Sequence, residues 1–515
     1  MRPPIRQSMA WLHAWIGAFA GWILYFVFIT GAATCFSVEI DRWMQPERPL
    51  VSPDVSQAQL LEAGFRWIGE RAPNARIWVA SVSSNRDPSR LQVLWQERED
   101  SKNSRGLTRT ELLDADGNPI AYRKTYGGQL LYRMHYQLHY IPVMEARWIV
   151  GICTFLLLIG TITGVIIHRR IFRDLFTLRF GKGRRTWIDV HNVLAVFTLP
   201  FQLMIAYSGL LFFAYIYLFP IVAISYGSGE LGARQFLNDL STRPVVDMPA
   251  IDATAGVLLP KIIAMTNALW GEGKIRYVEV VDPGRPHART TVARQRDGPL
   301  RTSDLLVFDA AGSVVGQYDG PSSMPRLIND IVLGLHEAQF ASPPLRWMYF
   351  ISGIAVAFSI AAGLFIFFGK RQRGGFCSYP IQQINVGIVA GLPISIAAYF
   401  WSNRLIPADF DRRQVWEANS LFVTWMLTLA FAVVCPAEKA MQRLLWTASA
   451  AFGLLPVINA LTTHRHLGVT LRYPDWTLAG FDLTMLAIGA AFAFAAMVEA
   501  RERGAYRHGA DSIAS

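Results

Sequence analysis

Cysteine and charge are both scarce in this chain of 515 residues. The four cysteines, Cys35, Cys153, Cys377 and Cys435, are widely spaced and lie mostly in or beside apolar runs. They leave no disulfide framework and no C-x-x-C zinc or haem-c motif. Charged residues make up only 17% of the chain against 52% hydrophobic, and the mean hydropathy is positive at +0.26. That balance places the chain among membrane proteins. A net charge of +11 would suggest a nucleic-acid partner for a soluble protein; here the location of the charge matters more, because it reports topology. A flavin or nicotinamide fingerprint is also missing, as is a cytoplasmic domain large enough to hold one.

Long apolar runs are what the chain has in abundance. Stretches of about 20 residues can cross a bilayer. They fall near residues 10–36, 146–168, 190–222, 346–368, 383–401, 420–436, 444–461 and 478–498. The first is too long for a signal peptide and lacks a small-residue cleavage site, so it reads as a retained span. Basic residues mark every alternate loop: Arg2 and Arg6; Arg169, Arg170, Arg173, Arg179, Lys182, Arg184 and Arg185; Lys370, Arg371 and Arg373; Arg501, Arg503 and Arg507. The positive-inside rule then puts both termini in the cytoplasm of a bacterial inner membrane and the polar segments 40–140 and 225–340 outside. The expected fold is a membrane all-α bundle of about eight helices with two small α+β domains. Its parts are a span in 1–39, an outer domain in 40–145, and two spans with a basic loop in 146–222. A second outer domain in 223–345, a fourth span in 346–372, and spans five to eight with a tail in 373–515 complete it.

Each outer segment repeats one pattern. A helical stretch (57–70; 255–269) precedes alternating strand-like runs at 76–82 and 274–281. Both then reach a strand, a tight turn and another strand, at 113–120 and 308–315. Asp114-Ala-Asp-Gly superficially resembles a calcium loop but lacks the remaining ligands at the right spacing. An Asx/Gly hairpin turn is the expected reading.

The spans repeat as well. Gly31 follows His13 by 18 residues and Gly209 follows His191 by 18; Gly164 follows Arg147 by 17 and Gly363 follows Arg346 by 17. Span, outer domain and span thus occur twice in one orientation, which predicts a four-helix core with a pseudo-two-fold axis along the membrane normal. Spans five to eight are appended to it.

The histidines follow the duplication. His13 matches His191 at the cytoplasmic ends of spans one and three. His336 falls near the His135/His139 pair just outside spans four and two, and His168 has no counterpart, since Phe367 takes that place. An ionisable residue in a span is costly and a functional candidate, and neutral imidazole is an axial haem ligand. A lone histidine at a helix end is more often a cap or an interfacial residue; the matched repeat turns His13 and His191 towards ligation, and His336, whose Gly-Leu-His-Glu-Ala leads directly into span four, reads as a ligand in the same way. Along a helix, 18 residues span about 27 Å, so the expectation is two haem b groups, one near each membrane face. His135 and His139, four apart on one helical face, are alternatives for the outer site, with His135 preferred. His168 stays open between ligand, propionate contact and surface cation. His287, His464, His466 and His508 read as loop or tail residues.

Jointly, His13-Ala-Trp-Ile-Gly, Leu131-Tyr-Arg-Met-His-Tyr, Gly164-Val-Ile-Ile-His-Arg-Arg, Phe172-Arg-Asp-Leu-Phe-Thr-Leu-Arg, Asp189-Val-His-Asn-Val-Leu and Gly334-Leu-His-Glu-Ala resemble the PepSY-associated transmembrane family over residues 5–372. The resemblance implies PepSY-like outer domains. It also implies a haem-containing inner-membrane reductase acting on ferric siderophores in the periplasm, with electrons from a separate cytoplasmic or quinone donor. Two rivals come from other classes: a non-redox PepSY module binding a periplasmic protein, and a siderophore or iron transporter. Paired charges at mid-depth would favour transport, and spans one to four carry none.

Overall fold

The computed structural model describes residues 5–49, 55–82, 86, 91–98, 107–168, 184–217, 219–229, 231–232, 235–236, 258–295, 298–321, 323–371 and 378–514. Most of the basic loop after the second span, the 172–179 motif and Cys377 lie outside the described residues. The chain forms two units, one of Met1–Pro46, Arg123–Phe213 and Ala341–Ser515, the other of Glu47–Tyr122 and Ala214–Phe340.

The first unit is helical. Its elements are α1 (Ile5–Thr34), α2 (Ser37–Met44), α3 (Gly127–Gln137), α4 (Val143–Ile167), α5 (Arg184–Phe197), α6 (Leu199–Phe212) and α7 (Pro343–Arg371). They continue with α8 (Ser378–Leu405), α9 (Arg413–Val434), α10 (Ala437–Gly453), α11 (Leu455–Thr462), α12 (Leu467–Arg472) and α13 (Trp476–Ala514). Among the described residues, seven helical stretches are long and apolar enough to cross a membrane: Ile5–Thr34, Val143–Ile167, Pro343–Gly369, Pro380–Leu405, Arg413–Val434, Lys439–Thr462 and Trp476–Arg501. The third expected span is instead the pair α5 and α6, bent by 68° at Thr198; taken as one span it makes eight. The bend has a local cause. Pro200 sits in the first turn of α6 without an N–H to continue the ladder, and the Thr198 hydroxyl donates back to the Leu194 carbonyl at 2.7 Å.

Helices α1, α4, α5/α6 and α7 close into a four-membered bundle, with α1 packed on α4 and α7, α5 on α7, and α6 on α4. Small residues let α1 and α7 approach: a Cβ on Gly21 would lie 2.7 Å from Leu364, and one on Gly353 would lie 3.1 Å from Ala32. The appended helices join through α8, which meets α1, α7, α9, α10 and α11. Trp22 donates to Asn385 at 2.9 Å, and the Tyr25 hydroxyl donates to the Val389 carbonyl at 2.8 Å, so α8 is tied to the bundle by polar as well as apolar contacts.

The second unit is α+β. Strands β1 (Ile77–Val82), β2 (Leu91–Gln96), β3 (Thr108–Leu113), β4 (Ile275–Val281), β5 (Arg289–Arg294), β6 (Leu305–Phe308) and β7 (Val314–Tyr318) make one antiparallel sheet in the order β3-β2-β1-β4-β5-β6-β7. The helices Gln57–Arg71 and Leu259–Trp270 begin or end within a few residues of their expected bounds. Residues 255–257 of the second lie outside the described ones. A capping box starts the first: Ser56 Oγ accepts from the Gln59 N–H at 3.3 Å, and the Gln59 amide oxygen accepts from the Ser56 N–H at 2.9 Å.

The two outer segments, read from the sequence as two small domains, share this sheet and one core. Strand β1 pairs with β4 across some 200 residues of sequence, with Trp78 opposite Val280 and Ala80 opposite Val278. Leu61, Ile68, Val93 and Leu113 from one segment pack with Ile262, Val278, Val292 and Phe308 from the other. The physical reason is the edge: β1 and β4 would each be an unpaired edge if the segments folded separately, and pairing removes both.

The turns repeat atom for atom. Asp114 Oδ1 accepts from the N–H groups of Asp116 at 3.0 Å and Asn118 at 2.8 Å. Asp309 Oδ1 accepts from Ala311 at 2.9 Å and Ser313 at 2.8 Å. Gly117 and Gly312 take the left-handed conformations, φ +89° and +69°, that close each turn. The Asp114 carboxylate therefore works inside an Asx turn, as the sequence reading expected, rather than as part of a calcium loop.

Candidate functional site

His13 on α1 and His191 on α5 meet edge to face inside the helical unit, with ring centroids 6.0 Å apart and planes at 72°. His13 Nδ1 lies 2.9 Å from the Gly160 carbonyl, and His191 Nδ1 lies 2.7 Å from the Ser359 carbonyl. A carbonyl only accepts, so Nδ1 carries the proton in each ring and Nε2 keeps the lone pair. Gly160 and Ser359 stand four residues before Gly164 and Gly363, the two glycines matched in the repeat. A Cβ on Gly164 would lie 3.3 Å from His13 Cε1, and one on Gly363 would lie 3.3 Å from His191 Cε1. Each imidazole is thus docked against a neighbouring helix at a carbonyl and a missing side chain, in the same way twice.

The same device appears a third time. His135 on α3 has Nδ1 2.8 Å from the Val27 carbonyl of α1, and Gly31 stands four residues further on. A Cβ on Gly31 would meet His135 Nδ1 at 2.5 Å. Burial lowers the His135 imidazole below the ordinary histidine value, opposed in part by the Val27 carbonyl, so the neutral form required of a metal ligand is favoured. Gly31 and His13 are 18 residues apart on α1, which separates the two histidine positions by about 27 Å along the helix.

The remaining sequence candidates fall elsewhere. His139 does not share a helical face with His135, because α3 ends at Gln137 with Leu138 in a left-handed conformation, φ 47°. Its half-buried ring stacks on Phe422 of α9 at 5.5 Å and 13°, and burial and Arg133 lower it below the ordinary histidine value. His168 is the residue that ends α4, its N–H donating to the Gly164 carbonyl at 3.0 Å. His336 lies in the second unit, near the end of the helix Met324–Glu337, two residues before left-handed Ala338, φ 50°. Its helix ends as α3 does, which fits the duplication.

With both Nε2 atoms turned towards each other, His13 and His191 could hold one metal between two imidazoles. A ring nitrogen about 2 Å from a transition metal puts the ring centroid about 3 Å away, so opposed ligands stand about 6 Å apart. Metal-bound histidines almost always donate the other ring N–H to a carbonyl or carboxylate, as these two do. A bis-imidazole haem site needs nothing more from the protein than this pair and space for the ring.

Sequence reasoning missed a buried polar network in the appended helices. Arg413 and Glu417 of α9 form an ion pair at 1% and 0% exposure, a pairing that a buried charge needs. Asn403 donates to Glu417 at 2.8 Å, and Arg404 donates to Asn403 at 2.6 Å and to Asn459 at 2.9 Å. Asn459 and Trp43 both donate to Asp482, at 3.0 and 2.8 Å. The charges fall within the first two turns or the last turn of apolar helices, and that placement was the available signal. They lie at helix ends rather than mid-depth and are mutually satisfied, so they tie the helices together.

Comparison with known proteins gives the chain a family. An uncharacterised protein of Pseudomonas aeruginosa, PA4219, is 22% identical over 388 residues, covering 69% of this chain and 91% of its own length. The profile of the PepSY-associated TM region matches residues 10–370, which takes in both turns of the duplication and every histidine considered above except the loop and tail residues beyond it. A match over that span carries the assignment: this is a multi-pass membrane protein of the PepSY-associated TM region family.

Proposed function

We propose that the chain is a di-haem b-type cytochrome of the bacterial inner membrane, an oxidoreductase that passes electrons to ferric iron, carried by siderophores, on the periplasmic side. The observation that carries this reading is the His13–His191 pair, with ring centroids 6.0 Å apart and both Nδ1 atoms engaged by carbonyls. A haem bound there would supply one-electron exchange between its ferric and ferrous states. His13 and His191 would hold it, the Gly160 and Ser359 carbonyls would fix the tautomer, and Gly164 and Gly363 would leave the two imidazoles room. His135 would provide one ligand of a second site, and in the sequence repeat His336 falls near the His135/His139 pair. His139 and His168 are residues near these sites rather than ligands.

The proposed topology has eight spans, counting the bent pair as one, with both termini in the cytoplasm by the positive-inside rule. The sheet unit would then be the periplasmic, PepSY-like part that meets the ferric chelate or its carrier. Electron transfer to a chelate can proceed outer-sphere and needs no acid–base dyad, and the electron comes from a separate cytoplasmic or quinone donor. The test uses purified protein reduced with dithionite in the absence of oxygen. Stoichiometric reoxidation on adding a ferric siderophore, with ferrous iron trapped by a chromogenic chelator, is expected. Spectra unchanged by a panel of ferric chelates would refute the reductase reading.

A further inference from the structure

Helix α3, which carries His135, is only 11 residues long; its N-cap residue, Tyr126, makes no cap bond of its own, and Asp41 of α2 accepts the Gly128 N–H at 2.8 Å. A helix of that length is marginal without outside support. The helix itself packs on α1, α2 and α4, and the appended helices add support at the loops that flank it. Before α3, the Thr125 hydroxyl donates to Glu417 of α9 and accepts the Gly127 N–H at 3.0 Å. Arg123 donates to the Asn403 carbonyl at 2.8 Å, and Arg413 donates to the Lys124 carbonyl at 3.2 Å. At its first residue, the Tyr399 hydroxyl of α8 donates to the Gly127 carbonyl at 2.9 Å. After α3, His139 stacks on Phe422, and the Tyr140 hydroxyl donates to Asn419, both on α9. Helices α8 and α9 therefore grip both loops that flank α3, while His135 sits between the grips.

We propose that α8 and α9, which lie beyond the residues 10–370 matched by the family, hold α3 in place, with Tyr399 and Phe422 as positioning residues for His135. The inference rests on the reading of His135 as a haem ligand. Metal–nitrogen bonds tolerate only about 0.2 Å of misplacement, and a short helix fixed at neither end cannot keep its ligand within that range. The Val27 carbonyl orients the imidazole; α8 and α9 place the helix that bears it.

The test uses full-length, haem-replete protein. Tyr399→Phe removes one hydroxyl at constant shape, Phe422→Ala removes the stacking face, and Phe422→Tyr keeps it. The spectral component lost in His135→Ala identifies the relevant haem. In Tyr399→Phe and Phe422→Ala, that haem is expected to transfer to apomyoglobin about tenfold faster, the scale of losing a ligand's supporting partner, and its midpoint potential is expected to move. The haem of His13 and His191 should be unaffected, and Phe422→Tyr should restore the wild-type rate. Amide exchange across 127–137 in the His135→Ala background, which lacks that haem, should quicken when Phe422→Ala is added, a readout independent of the cofactor at His135. Unchanged transfer of that haem in both variants, or equal loosening of both haems, would overturn the proposal. Wild-type protein without haem would instead sink the ligand assignment itself.

Discussion

An alanine at position 31 would place its methyl carbon 2.5 Å from Nδ1 and 2.6 Å from Cε1 of His135. Ordinary contact between such atoms needs about 3.5 Å, so the imidazole must retreat by about 1 Å or α3 must part from α1. Either movement takes Nδ1 away from the Val27 carbonyl, now at 2.8 Å. Either also exceeds the error of about 0.2 Å that a metal site accepts. Overpacking of this kind costs about 1–3 kcal/mol, and losing the partner of a ligating histidine lowers metal affinity about 10–100-fold. At Gly164 and Gly363 the same methyl would lie 3.3 Å from Cε1 of His13 and His191, where a shift of a few tenths of an ångström suffices. Gly31→Ala should therefore strip the haem of His135, while Gly164→Ala and Gly363→Ala keep theirs with a smaller loss. Haem content by pyridine haemochrome and reduced-minus-oxidised spectra of the three purified variants measure this. Full retention of both haems in Gly31→Ala, or an equal loss in Gly164→Ala, would refute the reasoning.

Three further outcomes are expected. His13→Ala and His191→Ala should each abolish the same spectral component, because the two rings serve one metal; loss of different components would break the pairing. Glu417→Gln removes the counter-charge of buried Arg413 and leaves it only carbonyl acceptors, at a cost of up to about 3–5 kcal/mol, whereas Glu417→Gln with Arg413→Met should recover part of it, as read by thermal unfolding in detergent. Asp114→Ala removes the acceptor of two backbone N–H groups and should cost about 1–3 kcal/mol and speed amide exchange at 116–118. Calcium chelation should leave that exchange unchanged in the wild type.

Much of this architecture was legible in the sequence because its signals are local or repeated. Hydropathy located the apolar helices, and the two copies of Asp-x-x-Gly located turns that fold alike at Asp114 and Asp309. The spacing of His13 and His191 from their glycines pointed to equal depth, and the rings do meet. What stayed hidden depends on distant partners. Nothing in Ile77–Val82 announces that it pairs with Ile275–Val281, since an alternating strand is equally content with any compatible edge. The end of α3 at Leu138 rests on a left-handed leucine, a residue that carries no turn signal of its own, so His135 and His139 looked like one face. The bend at Thr198 had a signal, Pro200, inside a run whose hydropathy alone argued for a straight span. The carbonyls of Gly160, Ser359 and Val27, which orient the three imidazoles, belong to backbone that any residue would supply and are invisible to a reading of side chains.

The central claim is that His13 and His191 share one haem, and the most direct measurement is a reduced-minus-oxidised spectrum with haem quantitation on purified, haem-replete wild type and His191→Ala. About two b-type haems per chain in the wild type, falling to about one in the variant with the His135 component intact, is the expected result. Wild-type protein with no Soret band, or a variant that keeps both haems, would contradict the account.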